Sequence, residues 1–82
     1  MDINRLKWAS RRGMLELDLL LLPFVEQIYP QLSGEDQARF HRLLACEDQD
    51  LFRWLLDREE PEDPDLARIV AVIRGTRERI RL

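Results

Sequence analysis

The chain has 82 residues, with 13 basic and 16 acidic side chains, a formal net charge of −3 and 45% apolar residues. One small domain spanning 1–82 is expected, burying roughly 60% of its unfolded surface, which leaves no room for a core plus a deep substrate pocket. A single Cys excludes a disulfide scaffold or a Cys-based zinc site, three Gly and four Pro exclude low-complexity and collagen-like chains, and the acidic balance argues against a nucleic-acid partner.

Helical patterning recurs along the chain, and nothing alternates with period two for long enough to make a strand. Asp2 is placed to cap a first helix over about 3–12, carrying Leu6 and Trp8, and Gly13 interrupts it. A second helix starts near Met14. Met14, Leu17, Leu21, Phe24 and Ile28 share one face, while Leu15, Leu19, Leu20 and Leu22 make the other faces apolar too, the mark of a central bundle helix. Glu16 and Asp18 suit the positive end of its dipole, and Pro23 predicts a kink or break around 19–23. Residues 29–32 read as a connection. Ser33 with Asp36 resembles a capping box for a third helix that runs to about Ala45 and buries Phe40, Leu43 and Leu44. Asp48 is placed to cap a fourth helix with Leu51, Phe52, Leu55 and Leu56 inward, followed by an acidic loop over 58–63. Asp63 and Pro64 start a fifth helix, with Leu66, Ile69, Val70 and Ile73 at i, i+3, i+4 and i+7 and Gly75 at its end. The basic tail, about 75–82, is expected to be mobile. The expected fold is all-α, a compact five-helix bundle.

Charge is segregated. Residues 1–12 carry a net +3, residues 47–65 a net −7, and the tail from Arg74 a net +3. This pattern suits a binder with polarised faces, although solvated helix faces and helix ends are the better account of any single cluster. Leu19–Leu22, extended by Pro23, Phe24 and Val25, falls well short of the ~20 residues needed to span a bilayer, and the N-terminus has no secretory h-region, so no membrane insertion is expected.

Catalytic groups are scarce. His41 has no evident nucleophile or orienting acid in the sequence, and a lone His of this kind is most often structural. Cys46 follows Ala45 at a helix end, and acids at 47, 48 and 50 would raise its pKa rather than activate it. Gly13, Gly34 and Gly75 are isolated, so neither a dinucleotide fingerprint nor a P-loop is present. Metal ligation is not expected: the acids near Asp48 lack EF-hand spacing. What remains is Arg11-Arg12-Gly13-Met14-Leu15-Glu16-Leu17-Asp18, two cations, a glycine and two acids at a helix junction. It reads either as a helix C-cap followed by dipole-matched acids or as a protein-binding surface centred on Gly13.

Arg12-Gly13-x-x-Glu16 resembles the R-G-x-x-E signature of the SdhE family, the FAD assembly factors of succinate dehydrogenase. Trp8 before the motif, Leu17-Asp18 after it, Pro23-Phe24, and a second block of Leu43-Leu44, Cys46, Asp48, Asp50-Leu51-Phe52 and Trp54 extend the similarity over about residues 2–73. The resemblance implies a five-helix bundle and a non-enzymatic factor. It also implies that the factor binds the flavoprotein subunit of succinate dehydrogenase, and of fumarate reductase as a further client, and promotes covalent attachment of FAD to a client histidine. The factor itself would hold no cofactor stably, since FAD belongs to the client. Carried over by position, Arg12, Gly13 and Glu16 form the partner-binding core, with Trp8, Arg11 and Asp18 as neighbours. A monomer in a bacterial cytoplasm is the expected state. The alternative class is an interaction module acting as an antitoxin, a label attached to some members of the family.

Overall fold

The computed structural model describes residues 2–77 and contains five α-helices, with no strand among those residues. The first, α1 (Ile3–Ser10), begins where the Asp2 carboxylate accepts the Asn4 amide at 3.1 Å. It stops two residues short of the expected end because Arg11 turns extended (φ −74°, ψ 125°) and the Arg12 amide donates to the Asp18 side chain instead of to the helix. Leu6 is its core residue, and Trp8 points outward, 74% exposed.

The second helix, α2 (Leu15–Gln27), runs unbroken through Pro23, so of the kink or break expected around 19–23 the break does not occur. Proline in a helix interior costs about 3 kcal/mol. Against this, α2 buries Leu17, Leu20, Leu21, Phe24 and Val25, each worth about 1.5–3 kcal/mol when fully buried. The carbonyl that loses its donor belongs to Leu19, a half-exposed residue, where water can satisfy it. The connection contains a 3-10 turn, Tyr29–Gln31, whose Tyr29 ring sits 5.6 Å from Phe40.

Ser33 caps α3 (Gly34–Leu44) as expected, its hydroxyl accepting the Asp36 amide at 3.1 Å. The fourth helix, α4 (Asp48–Leu55), differs from expectation at its start. Glu47 is the N-cap and makes no side-chain cap bond, while Asp48 lies inside the helix and turns its carboxylate toward Arg12. Asp63 caps α5 (Pro64–Thr76) by accepting from the Asp65 and Leu66 amides at 2.8 and 3.3 Å, with Pro64 in the first turn. The helix passes through Gly75, which has no positive φ, and reaches buried Thr76, whose hydroxyl donates to the Val72 carbonyl at 3.0 Å. Gly75 therefore does not end α5. Most of the expected mobile tail, including Arg79 and Arg81, lies outside the described residues.

Helix α1 packs along α2, α3 along α5, and α4 against α5. All five helices feed one core, in which Leu6, Leu17, Leu21, Phe24, Phe40, Leu43, Leu51, Ile69, Val70 and Ile73 are fully buried. Polar clamps close the seams. Asp36, 6% exposed, accepts from Arg39 at 2.9 Å and Arg68 at 3.2 Å, tying α3 to α5. Arg74 donates to the Trp54 and Glu59 carbonyls and pairs with Glu60, tying the end of α4 and its loop to α5. Among the described residues, no helix is long and apolar enough to cross a membrane.

Candidate functional site

The α1–α2 junction is built by a short chain of internal bonds. The Asp18 amide donates to the Met14 carbonyl at 2.9 Å, opening α2, and the Asp18 carboxylate reaches back to accept the Arg12 amide at 2.7 Å. Asp18 is thus both a first-turn acid on the favourable end of the dipole and the brace of the loop before it. Between these two residues, Gly13 adopts φ +78°. L-residues reach that region only at a cost of roughly 1–2 kcal/mol, which is the local reason for glycine. A Cβ built on Gly13 would meet nothing within 4 Å, so its outer side is open.

Arg12 turns inward rather than outward. Its Nη2 donates to the Leu44 carbonyl at 2.6 Å, at the end of α3, and its Nη1 lies 3.6 Å from the Asp48 carboxylate at the start of α4. The side chain is only 13% exposed and its buried Nε has no partner. The planar fork that the sequence offered to a partner is therefore spent on joining the α1–α2 junction to the α3–α4 junction. Glu16 and Arg11 behave otherwise. Both are exposed, and neither forms an ion pair among the described residues.

Trp8 and Arg11 line a shallow groove of about 250 Å³ with Asn4, Lys7 and Leu22, and the Lys7 ammonium pairs with Glu26 of α2. On the other side of the junction, Met14 borders a larger open groove of about 570 Å³ with Gln49, Asp50, Phe52 and Arg53. The structure thus brings Trp8, Arg11, Arg12, Gly13, Glu16 and Asp18 to one junction, with Arg12 and Asp18 bonded inside it.

The titratable residues singled out by sequence are occupied elsewhere. His41 Nε2 lies 2.8 Å from the Tyr29 hydroxyl, with the two rings edge to face at 5.8 Å. Burial pushes the Tyr29 phenol up, so the hydroxyl stays neutral beside the imidazole. Burial, reinforced by Asp50, likewise pushes the Cys46 thiol up, and its Sγ contacts the Arg42 carbonyl at 3.7 Å. A raised thiol pKa is the opposite of nucleophile activation. No group of three or more His, Cys, Asp or Glu among the described residues could hold a metal ion.

Two features escaped the sequence reading. One is the inward course of Arg12, since its partners lie 32 and 36 positions away and leave no local signal. The other is that Leu15 and Leu19 stand 67% and 50% exposed. Their i, i+4 spacing on a helix apolar all round was visible, but not which face would lack a neighbour.

Comparison with known proteins places this geometry in a family. Residues 4–77 match the family model described as the flavinator of succinate dehydrogenase. The chain belongs to that family of small helical proteins. A Pseudomonas aeruginosa protein named FAD assembly factor SdhE is 62% identical over 72 residues, covering 88% of this chain and 86% of that protein. A protein of the same name from Shewanella oneidensis is 55% identical over 75 residues, covering 92% of each. The solution structure of a UPF0350 protein superposes with a TM-score of 0.70 at 42% identity, over 88% of this chain and 77% of the other.

Proposed function

We propose that this chain is an FAD assembly factor: it binds the flavoprotein subunit of succinate dehydrogenase, and that of fumarate reductase as a second client, and promotes covalent attachment of FAD. The observation that carries the reading is Gly13, held at φ +78° on an open junction inside the segment matched to the flavinator family. The factor contributes no reacting group. The flavin and the accepting histidine belong to the client, and the factor raises the fraction of client molecules in which the two are aligned, a positioning effect.

The geometry supports a division of roles. Gly13 is the point of closest approach, where any side chain would stand between the two proteins. Glu16 offers exposed acceptors one helical turn further on, while Arg11 and Trp8 flank the contact. Arg12 and Asp18 act through the backbone they brace. The factor works as a monomer in the bacterial cytoplasm and keeps no FAD of its own.

The test is in-gel fluorescence of covalent flavin on the flavoprotein subunit, in cells with and without this gene. Loss of the signal, restored by the wild-type chain and by Glu16→Asp but not by Gly13→Arg, is expected. Undiminished flavinylation in the deletion strain would refute the reading, and a pull-down for a toxin would follow.

A further inference from the structure

The large apolar side chains most exposed among the described residues are Ile3, Trp8, Leu15 and Leu19, all within the first 19 positions; α3, α4 and α5 contribute none. Single exposed apolar residues are ordinary, whereas a contiguous group marks an interaction surface. Trp8, Leu15 and Leu19 form such a group together with half-buried Leu22. Leu15, Leu19, Leu22 and Glu26 step by four, three and four along α2, so they share one stripe, opposite the buried stripe of Leu17, Leu21 and Phe24. Leu22 lines the same groove as Trp8, and Glu26 pairs with Lys7, so this end of the stripe lies beside α1 and the Leu19–Leu15 end leads toward the junction. The result is an apolar ridge, Trp8–Leu22–Leu19–Leu15, whose last member stands between Gly13 and Glu16.

Its rim carries both signs. Arg5 and Arg11 lie one turn either side of Trp8 without ion pairs among the described residues, Glu16 is exposed at the other edge, and Lys7 with Glu26 closes the middle. An anionic lipid surface would select cations alone around such a ridge. An aromatic and aliphatic centre, arginines and a mixed-charge rim are the anatomy of a protein–protein contact.

We propose that Trp8, Leu15, Leu19 and Leu22 are the affinity-bearing anchor through which this chain grips its client. The client presents there an apolar surface whose rim is acidic opposite Arg5 and Arg11. The inference rests on the proposed function for the identity of the client. It divides the labour at the site: Gly13 and Glu16 set register, and the ridge supplies most of the binding energy.

The test is titration calorimetry of the purified chain with the succinate dehydrogenase flavoprotein subunit. The Leu15→Ser/Leu19→Ser double variant and Trp8→Ala are each expected to raise Kd by about tenfold to thirtyfold, the range of interface hot spots. Thermal melts close to wild type should accompany this, since the residues are exposed. Arg5→Glu/Arg11→Glu is expected to slow association and to reverse its salt dependence. A readout needing no disruptive variant is the 19F resonance of 5-fluorotryptophan at position 8, in a Trp54→Phe background. It should shift when unlabelled flavoprotein is added.

If the wild-type chain does not bind the flavoprotein, the proposed function fails and the inference falls with it. If the wild type binds and the ridge variants bind equally well, with the Trp8 resonance unmoved, the inference alone is overturned. It is overturned likewise if flavoprotein binding survives while the ridge variants lose sedimentation with phosphatidylglycerol vesicles, or lose a concentration-dependent dimer.

Discussion

Arg12→Ala separates a bracing arginine from a contacting one. In the wild type the guanidinium donates to the Leu44 carbonyl at 2.6 Å and stands 3.6 Å from Asp48, with 13% of the side chain exposed. Losing a hydrogen bond from a charged donor costs about 1.5–3 kcal/mol. The Asp48 pair, with its carboxylate 42% exposed, adds only ~0–1 kcal/mol. Removing the unpartnered buried Nε relieves part of a penalty of about 1–3 kcal/mol. The balance is a loss of about 2 kcal/mol, which for a domain of this size lowers Tm by about 8–16 °C. Arg12→Lys keeps the charge but not the fork, so it should recover the attraction to Asp48 and little of the Leu44 bond. Thermal and urea unfolding followed by circular dichroism read both variants, with the urea m-value unchanged because the same surface is exposed on unfolding. An Arg12→Ala protein that melts with wild type would refute the bracing role and return Arg12 to the partner's side of the interface.

Gly13→Ala should cost about 1–2 kcal/mol through its left-handed backbone, with Gly13→Asn cheaper because Asn tolerates that region; equal Tm values for Gly, Asn and Ala would refute the strain argument. Tyr29→Phe removes the hydroxyl bonded to His41 and should cost about 1 kcal/mol in urea unfolding, while His41→Phe in that background should add far less than it does alone, because the two share one bond. The Asp36 carboxyl is held below the usual range by the hydrogen bond from Arg68, against the opposing effect of burial, with Arg39 adding to the lowering. Its stabilisation is therefore complete above the unfolded-state value near about 4 and is lost as pH falls through the lower folded-state value. Asp36→Asn should be less stable than wild type at pH 7, with the gap closing on acidification; a gap independent of pH would refute the assignment.

What the sequence disclosed were the features whose signals are local. Ser33 and Asp63 announce their helices because a cap acts within three residues, and the α5 stripe of Ile69, Val70 and Ile73 is buried because helical spacing alone puts them on one face. The failures have tertiary causes. Pro23 is a helix breaker by its own chemistry, yet five buried neighbours on α2 outweigh it. Asp48 has the makings of a cap, yet the Arg12 guanidinium across the fold engages its carboxylate. Gly75 had the look of a stop, yet buried Thr76 draws the helix one residue further. The same division runs through the site. Gly13 and Glu16 were legible as a motif, whereas the inward turn of Arg12 and the exposed ridge of Leu15 and Leu19 depend on which helix lies beside which.

The junction is braced from within, because each polar tie named above is internal. Asp18 holds the Arg12 amide, Arg12 holds the carbonyl end of α3, and Gly13 takes a left-handed backbone shape between them and α2. Residues 15 and 16 then follow on the first turn of α2, whose opposite face is locked into the core by Leu17 and Leu21. A partner meeting this surface has little backbone to order, and ordering is a main cost that separates buried area from affinity. A factor whose proposed work is to align a flavin with a histidine in another protein gains from such bracing twice. On the proposed function, the contact would be tight for its size, and the strain of alignment would fall on the client rather than on the factor. Asp18→Asn tests that coupling. It leaves the outer surface untouched and weakens the bond to the Arg12 amide, so flavoprotein binding should weaken and rapid amide exchange should appear at Arg12. Weaker binding with Arg12 still protected would show that Asp18 contacts the client directly.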